Sequence, residues 1–188
     1  MRFLLLSLCL MLLAACSDSV GNDAAYPRRT AYPRVPALSD SVLVGTAGNA
    51  CFELSADALV SHPSPNWLDA EYKALGATLH LSVNWLSSAG ALEAAYGNRR
   101  QRISLNVGEA VVEVSSFTNS CGFGCEMVVA PEGVATPVQF IASGPQGCFV
   151  SGSFVIAGSV EPADSIRPVV DALRAQALLL LNTLHSCR

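Results

Sequence analysis

The chain has 188 residues, 51% of them apolar, with 11 Lys and Arg against 15 Asp and Glu and a formal net charge of −4. That balance excludes the broad basic patch that a nucleic-acid partner needs. The length suits one domain with a sizeable core once a leader has been removed.

The first residues have the three parts of a secretory signal: a positive start at Arg2, an apolar run from Phe3 to Leu13, and small residues before a cut. The run is too short to remain as a spanning helix, which takes roughly 20 apolar residues. Leu13-Ala14-Ala15-Cys16 then sets a thiol directly after small side chains, which a lipid-transferring enzyme and its protease both require. An ordinary cleaved signal is the alternative. Residues 1–15 are therefore expected to leave, and Cys16 to carry a diacylglycerol and an N-acyl chain. Each buried acyl methylene contributes roughly 0.8 kcal/mol, so several chains on one cysteine anchor almost irreversibly. No acidic residue follows Cys16 directly, since Ser17 precedes Asp18. Delivery to the outer membrane, on its periplasmic side, is the expectation.

Residues 16–40 form a Pro-rich tether containing the doublet Ala25-Tyr26-Pro27-Arg28 and Ala31-Tyr32-Pro33-Arg34. Each step into proline favours extended or polyproline II backbone. One reading is a stiff spacer between lipid and domain. The other makes Tyr26, Arg28, Tyr32 and Arg34 a partner-binding stripe that supplies stacking and charge.

The domain is expected to span 41–188. Ser41 to Leu54 reads as a strand broken between Gly45 and Ala50, and Ser61 to Asn66 as a Pro-rich turn. Strict alternation over Thr78 to Trp85 predicts a half-buried strand with Leu79, Leu81, Val83 and Trp85 inward and His80 on the polar face. Leu92, Tyr96, Ile103 and Val107 recur at helical spacing between Ser88 and Val107, with Arg99, Arg100 and Arg102 gathered elsewhere on that helix. Four strands follow, over 110–117, 126–130, 136–142 and 148–156, with turns at Pro131-Glu132-Gly133 and Gly144-Pro145-Gln146-Gly147 and a cap at Cys121–Cys125. A closing helix begins near Asp164-Ser165, takes Pro168 in its first turn, and carries a stripe through Ile166, Val169, Leu173, Ala177, Leu180, Leu181 and Leu184. Arg167, Asp171 and Arg174 are spaced to pair along its outer side. The sum is an α+β fold, an antiparallel sheet of about five or six strands packed with two helices, one of them C-terminal.

Seven cysteines are present. Cys9 leaves with the signal and Cys16 is lipidated, so Cys51, Cys121, Cys125, Cys148 and Cys187 remain as disulfide candidates whose pairing the sequence leaves open. Cys121, Cys125, His185 and Cys187 could in principle hold zinc. The loose spacing and the oxidising envelope argue for bridges instead, and no metal is expected. Catalysis is not expected either: there is no GxSxG, no HExxH and no Gly-rich phosphate loop, and among His62, His80 and His185 only His80 lines a surface.

Read in order, the lipobox, the Tyr-Pro-Arg doublet, Trp67 to Lys73 leading into Leu79-His80-Leu81-Ser82, the Thr136-Pro137-Val138-Gln139-Phe140 segment and the last helix resemble the gliding-motility lipoprotein GldD family of Bacteroidetes. The resemblance implies a non-catalytic envelope lipoprotein, an accessory or assembly factor for gliding and type IX secretion that contacts other envelope lipoproteins. It adds Gln139 to the partner-binding candidates Tyr26, Arg28, Tyr32, Arg34 and His80. The Cys121–Cys125 insert and the Cys187 tail depart from the family pattern. A small-ligand or metal-binding envelope domain using the sheet's polar face is the alternative function.

Overall fold

In the computed structural model, which describes residues 35–131, 134–157 and 163–187, the first apolar alternation folds back on itself. Val42–Ala47 (β1) and Ala50–Ser55 (β2) are an antiparallel hairpin. The expected break is its two-residue turn, where Gly48 takes the left-handed φ of +54° that favours glycine. The expected turn over Ser61 to Asn66 is corrected too. Leu59–Ser64 (β3) and Trp67–Tyr72 (β4) are paired strands, and the turn shrinks to Pro65 and Asn66. Pro63 is tolerated because β3 is an edge strand with an irregular register between Ser61 and Ser64.

Ala77–Trp85 (β5) keeps the expected alternation, with Leu79, Leu81 and Val83 fully buried. Trp85, at its end, is exposed instead. Helix α1, Ala89–Val107, starts where the Ser88 hydroxyl accepts from the Ala91 N–H at 3.1 Å. Strands Glu113–Thr118 (β6), Gly124–Val129 (β7), Val138–Ser143 (β8) and Cys148–Ile156 (β9) follow. Helix α2, Ala163–Thr183, puts Pro168 in its second turn, and His185–Ser186 (β10) closes the chain. The described residues all belong to one compact unit, Tyr32–Arg188.

The strands form two antiparallel sheets, one in the order β1-β2-β10 and one in the order β3-β4-β5-β9-β8-β7-β6. The class is α+β with two helices, as expected, and the strand count is higher. The large sheet is the middle layer. One face carries Leu68, Leu79, Leu81, Met127, Phe140 and Phe154 into the main core, where Val170, Leu173, Ala177 and Leu180 of α2 and Phe52 and Leu54 of β2 meet them. On the other face Ile103, with Leu92, Tyr96 and Val107 beside it, packs α1 onto Val128, Ile141 and Phe149. Burying side chains of this size contributes about 1.5–3 kcal/mol each.

Polar contacts fix the layers. Asn119, 8 % exposed, donates through Nδ2 to the Leu181 and Leu184 carbonyls at 2.8 Å each. Its Oδ1 accepts from the Cys121 and Phe123 N–H groups at 2.9 and 3.0 Å. The loop after β6 thereby caps the end of α2. Arg174, expected to pair within its own helix, bonds Glu113 of β6 at 2.8 Å. Among the five cysteine candidates, Cys51 and Cys187 form a disulfide, which ties the chain end to β2. Cys121 is exposed with a free thiol, and Cys125 and Cys148 are buried with theirs.

Candidate ligand-binding face

The second face of the large sheet is polar where α1 does not cover it. Register places Asp69 of β4, His80 of β5, Ser153 of β9 and Gln139 of β8 in one row across four strands. The next row runs Trp67, Ser82, Ser151, Ile141 and Glu126. Helix α1 closes the β7–β8–β9 side, and the β4–β5 side stays open.

On the open side, Asp69 Oδ1 accepts from Trp67 Nε1 at 2.7 Å and sits 2.7 Å from His80 Nδ1. A carboxylate only accepts, so His80 donates through Nδ1. Ser82 and Ser151 are joined through their hydroxyls at 3.1 Å. The row is held rigidly by β-ladder neighbours on both sides.

Helix α1 contributes the charges. Leu92, Tyr96, Ile103 and Val107 mark its sheet-facing stripe, and Arg99 falls in that stripe between Tyr96 and Ile103. Its Nη2 donates to the Gly152 carbonyl at 3.0 Å, while Nε is buried with no hydrogen-bond partner. Burial, and then the neighbouring charge of Arg102, lower the Arg99 pKa from its ordinary value. Arg102 Nε donates to Asn98 Oδ1 at 3.0 Å. Arg100 points the other way, packs over the Tyr96 ring at 5.2 Å, and forms a two-pronged bond with Glu126.

Two of the clefts that flank α1 open onto polar side chains of the large sheet. The larger, about 700 Å³, lies over β6 and β7, and its lining includes the Arg100–Glu126 pair, Tyr96, Ser116 and Thr118. Arg100 and Glu126 neutralise each other there, and Glu93 leaves the lining net negative. The smaller, about 270 Å³, lies over β4, β5 and β9, and its lining includes Trp67, Asn84, Asn98, Arg99, Arg102 and Ser151. Here the arginines have no carboxylate partner among the described residues.

Of the expected site residues, His80 is on the open face as anticipated. Gln139 is not: it is 1 % exposed, and its Oε1 accepts from Asn106 Nδ2 of α1 at 3.0 Å, which seals it beneath the helix. Cys16, Tyr26, Arg28, Tyr32 and Arg34 lie outside the described residues. Sequence reasoning missed Asp69, Trp67 and Asn98, and placed Arg99 away from the helix's apolar stripe. A signal existed for Arg99, because helical spacing from Tyr96 to Ile103 passes through it. Cys187 is bonded to Cys51 and so is unavailable as a zinc ligand. No group of three or more His, Cys, Asp or Glu among the described residues is arranged to hold a metal ion. No described helix is long and apolar enough to cross a membrane. No protein-family model matches the chain, and no curated protein is significantly similar to it.

Proposed function

We propose that the protein is an exported lipoprotein, anchored through Cys16 on the periplasmic side of the outer membrane, whose domain acts without catalysis by binding other envelope components. The observation that carries this reading is Leu13-Ala14-Ala15-Cys16 behind a short apolar run. The Cys51–Cys187 bridge supports it, because disulfides persist in an oxidising compartment. A role as accessory factor of gliding motility and type IX secretion rests on the segment resemblance alone.

Metabolic labelling with an alkyne fatty acid tests the anchor. Label on the wild-type protein and none on Cys16→Ser is the expected result, and label retained on Cys16→Ser overturns it. Crosslinking in native membranes followed by pull-down then tests the partner class. Recovery of motility or secretion lipoproteins supports the accessory role, and their absence from the crosslinked material argues against it.

A second reading, a small-ligand site on the polar sheet face, is favoured by the 270 Å³ cleft beside Trp67 and Arg99.

A further inference from the structure

Resting on that second reading, the geometry points to a more specific occupant: we propose that the cleft between α1 and strands β4, β5 and β9 binds a single anionic sugar. The acidic group, phosphate or carboxylate, lies on Arg99 and Arg102, and the ring lies against Trp67.

Three observations carry the assignment. Arg99 sits in the sheet-facing stripe of α1, partly desolvated, with a buried Nε that nothing in the fold satisfies. A desolvated cation without a carboxylate is costly to keep. An oxyanion in the cleft would bring a compensating charge to the Arg99 guanidinium, which lines it beside Arg102. Arg102, exposed and within the same lining, supplies a second positive charge. No acidic side chain is among the residues that line the cleft.

The neutral lining argues for a sugar rather than an apolar acid. Asn84, Asn98, Ser82 and Ser151 present amide and hydroxyl groups that both donate and accept, matching a ring edge of hydroxyls. Trp67, 40 % exposed with its Nε1 already committed to Asp69, has a fixed indole available for stacking. At about 270 Å³ the cleft is just below the range of roughly 300–1,000 Å³ that holds drug-sized ligands. One ring fits that scale.

The test uses the lipidated full-length protein in detergent micelles, carrying Trp85→Phe so that fluorescence reports Trp67. Glucose 6-phosphate, glucuronate and neutral glucose are the probes. Saturable quenching by either anionic sugar, at least about tenfold tighter than by glucose and weakened about tenfold or more in both Arg99→Gln and Arg102→Gln, is expected. Which of the two binds identifies the acidic group. Arg102→Gln removes no contact to the sheet, so its unfolding midpoint should match wild type while its binding falls. Equal binding of glucose and the anions overturns the anionic assignment and keeps the small-ligand reading. Binding unchanged in Arg102→Gln overturns the assignment as well. Absence of binding by all three up to about 10 mM overturns both.

Discussion

Asn119 makes four hydrogen bonds at once, two to the carbonyls that end α2 and two from the N–H groups of its own loop. Replacing it with alanine strands buried donors and acceptors that water cannot reach, at about 1–3 kcal/mol for each group left unpaired. Relaxation of the loop recovers part of that. Asn119→Ala should therefore lower stability by roughly 2–4 kcal/mol in urea unfolding, and a loss under about 0.5 kcal/mol would mean that the cap is solvated. Chemistry at the thiols is decided at the same scale. Burial pushes the Cys125 and Cys148 pKa values up to about 11, so at neutral pH both are protonated and shielded, whereas Cys121 is exposed. The thiolate is the nucleophile, and its fraction grows as pH rises toward the pKa. Brief treatment of the native protein with iodoacetamide near pH 8 should modify Cys121 alone among these three, as read by peptide mass spectrometry. Equal labelling of Cys125 would contradict its burial.

The turn joining β8 to β9 shows what one glycine holds in place. Gly147 has φ +79°, and a Cβ there would lie 1.9 Å from the Leu86 carbonyl oxygen, just past the end of β5. Gly76, with φ +59°, has nothing within 4 Å of its would-be Cβ. Left-handed backbone alone costs a residue with a side chain about 1–2 kcal/mol, so Gly76→Ala should lose about that much by chemical denaturation. Gly147→Ala adds a backbone clash and should lose at least about 2 kcal/mol more; equal losses would mean that the turn moves freely. Elements such as β5 and α2 were legible in the sequence because each buries a whole face, so alternation over Leu79, Leu81 and Val83, or the stripe through Leu173, Ala177 and Leu180, is imposed by the core. Strands β3 and β4 were not. β3 is an exposed edge, where Ser61, His62 and Pro63 face no packing demand and carry no pattern. β4 alternates Leu68, Ala70 and Tyr72 inward with Trp67, Asp69 and Glu71 outward, but the small Ala70 weakens the signal. The polar face suffered most, because hydrogen bonds such as Asp69 to His80 depend on a strand register that only the assembled sheet defines.

At the scale of the whole molecule, the chain end is locked in twice over. β10 pairs with β2, the Cys187 N–H donates to the Asn49 carbonyl at 2.7 Å, and the Cys187 sulfur is bonded to Cys51. The bridge closes a loop across a sequence separation of 136 residues that includes both described helices and nine of the ten described strands in whole or part. Chain-entropy arguments assign a loop of that size close to 5 kcal/mol of destabilisation of the unfolded state, with strain and residual structure reducing the figure in practice, so about 3–5 kcal/mol is the expected contribution. That is a large share of the roughly 5–15 kcal/mol typical of a whole domain. The prediction follows for the compartment as well as for the fold. Protein oxidised in the envelope should have a markedly higher denaturation midpoint than the same protein treated with reductant, or than Cys51→Ala with Cys187→Ala, while Cys121→Ala should match wild type in both conditions. Identical midpoints with and without reductant would show that the bridge does not form, and would remove the support that it lends to export. A large difference would make the folded domain dependent on an oxidising compartment, as the proposed export through Cys16 requires.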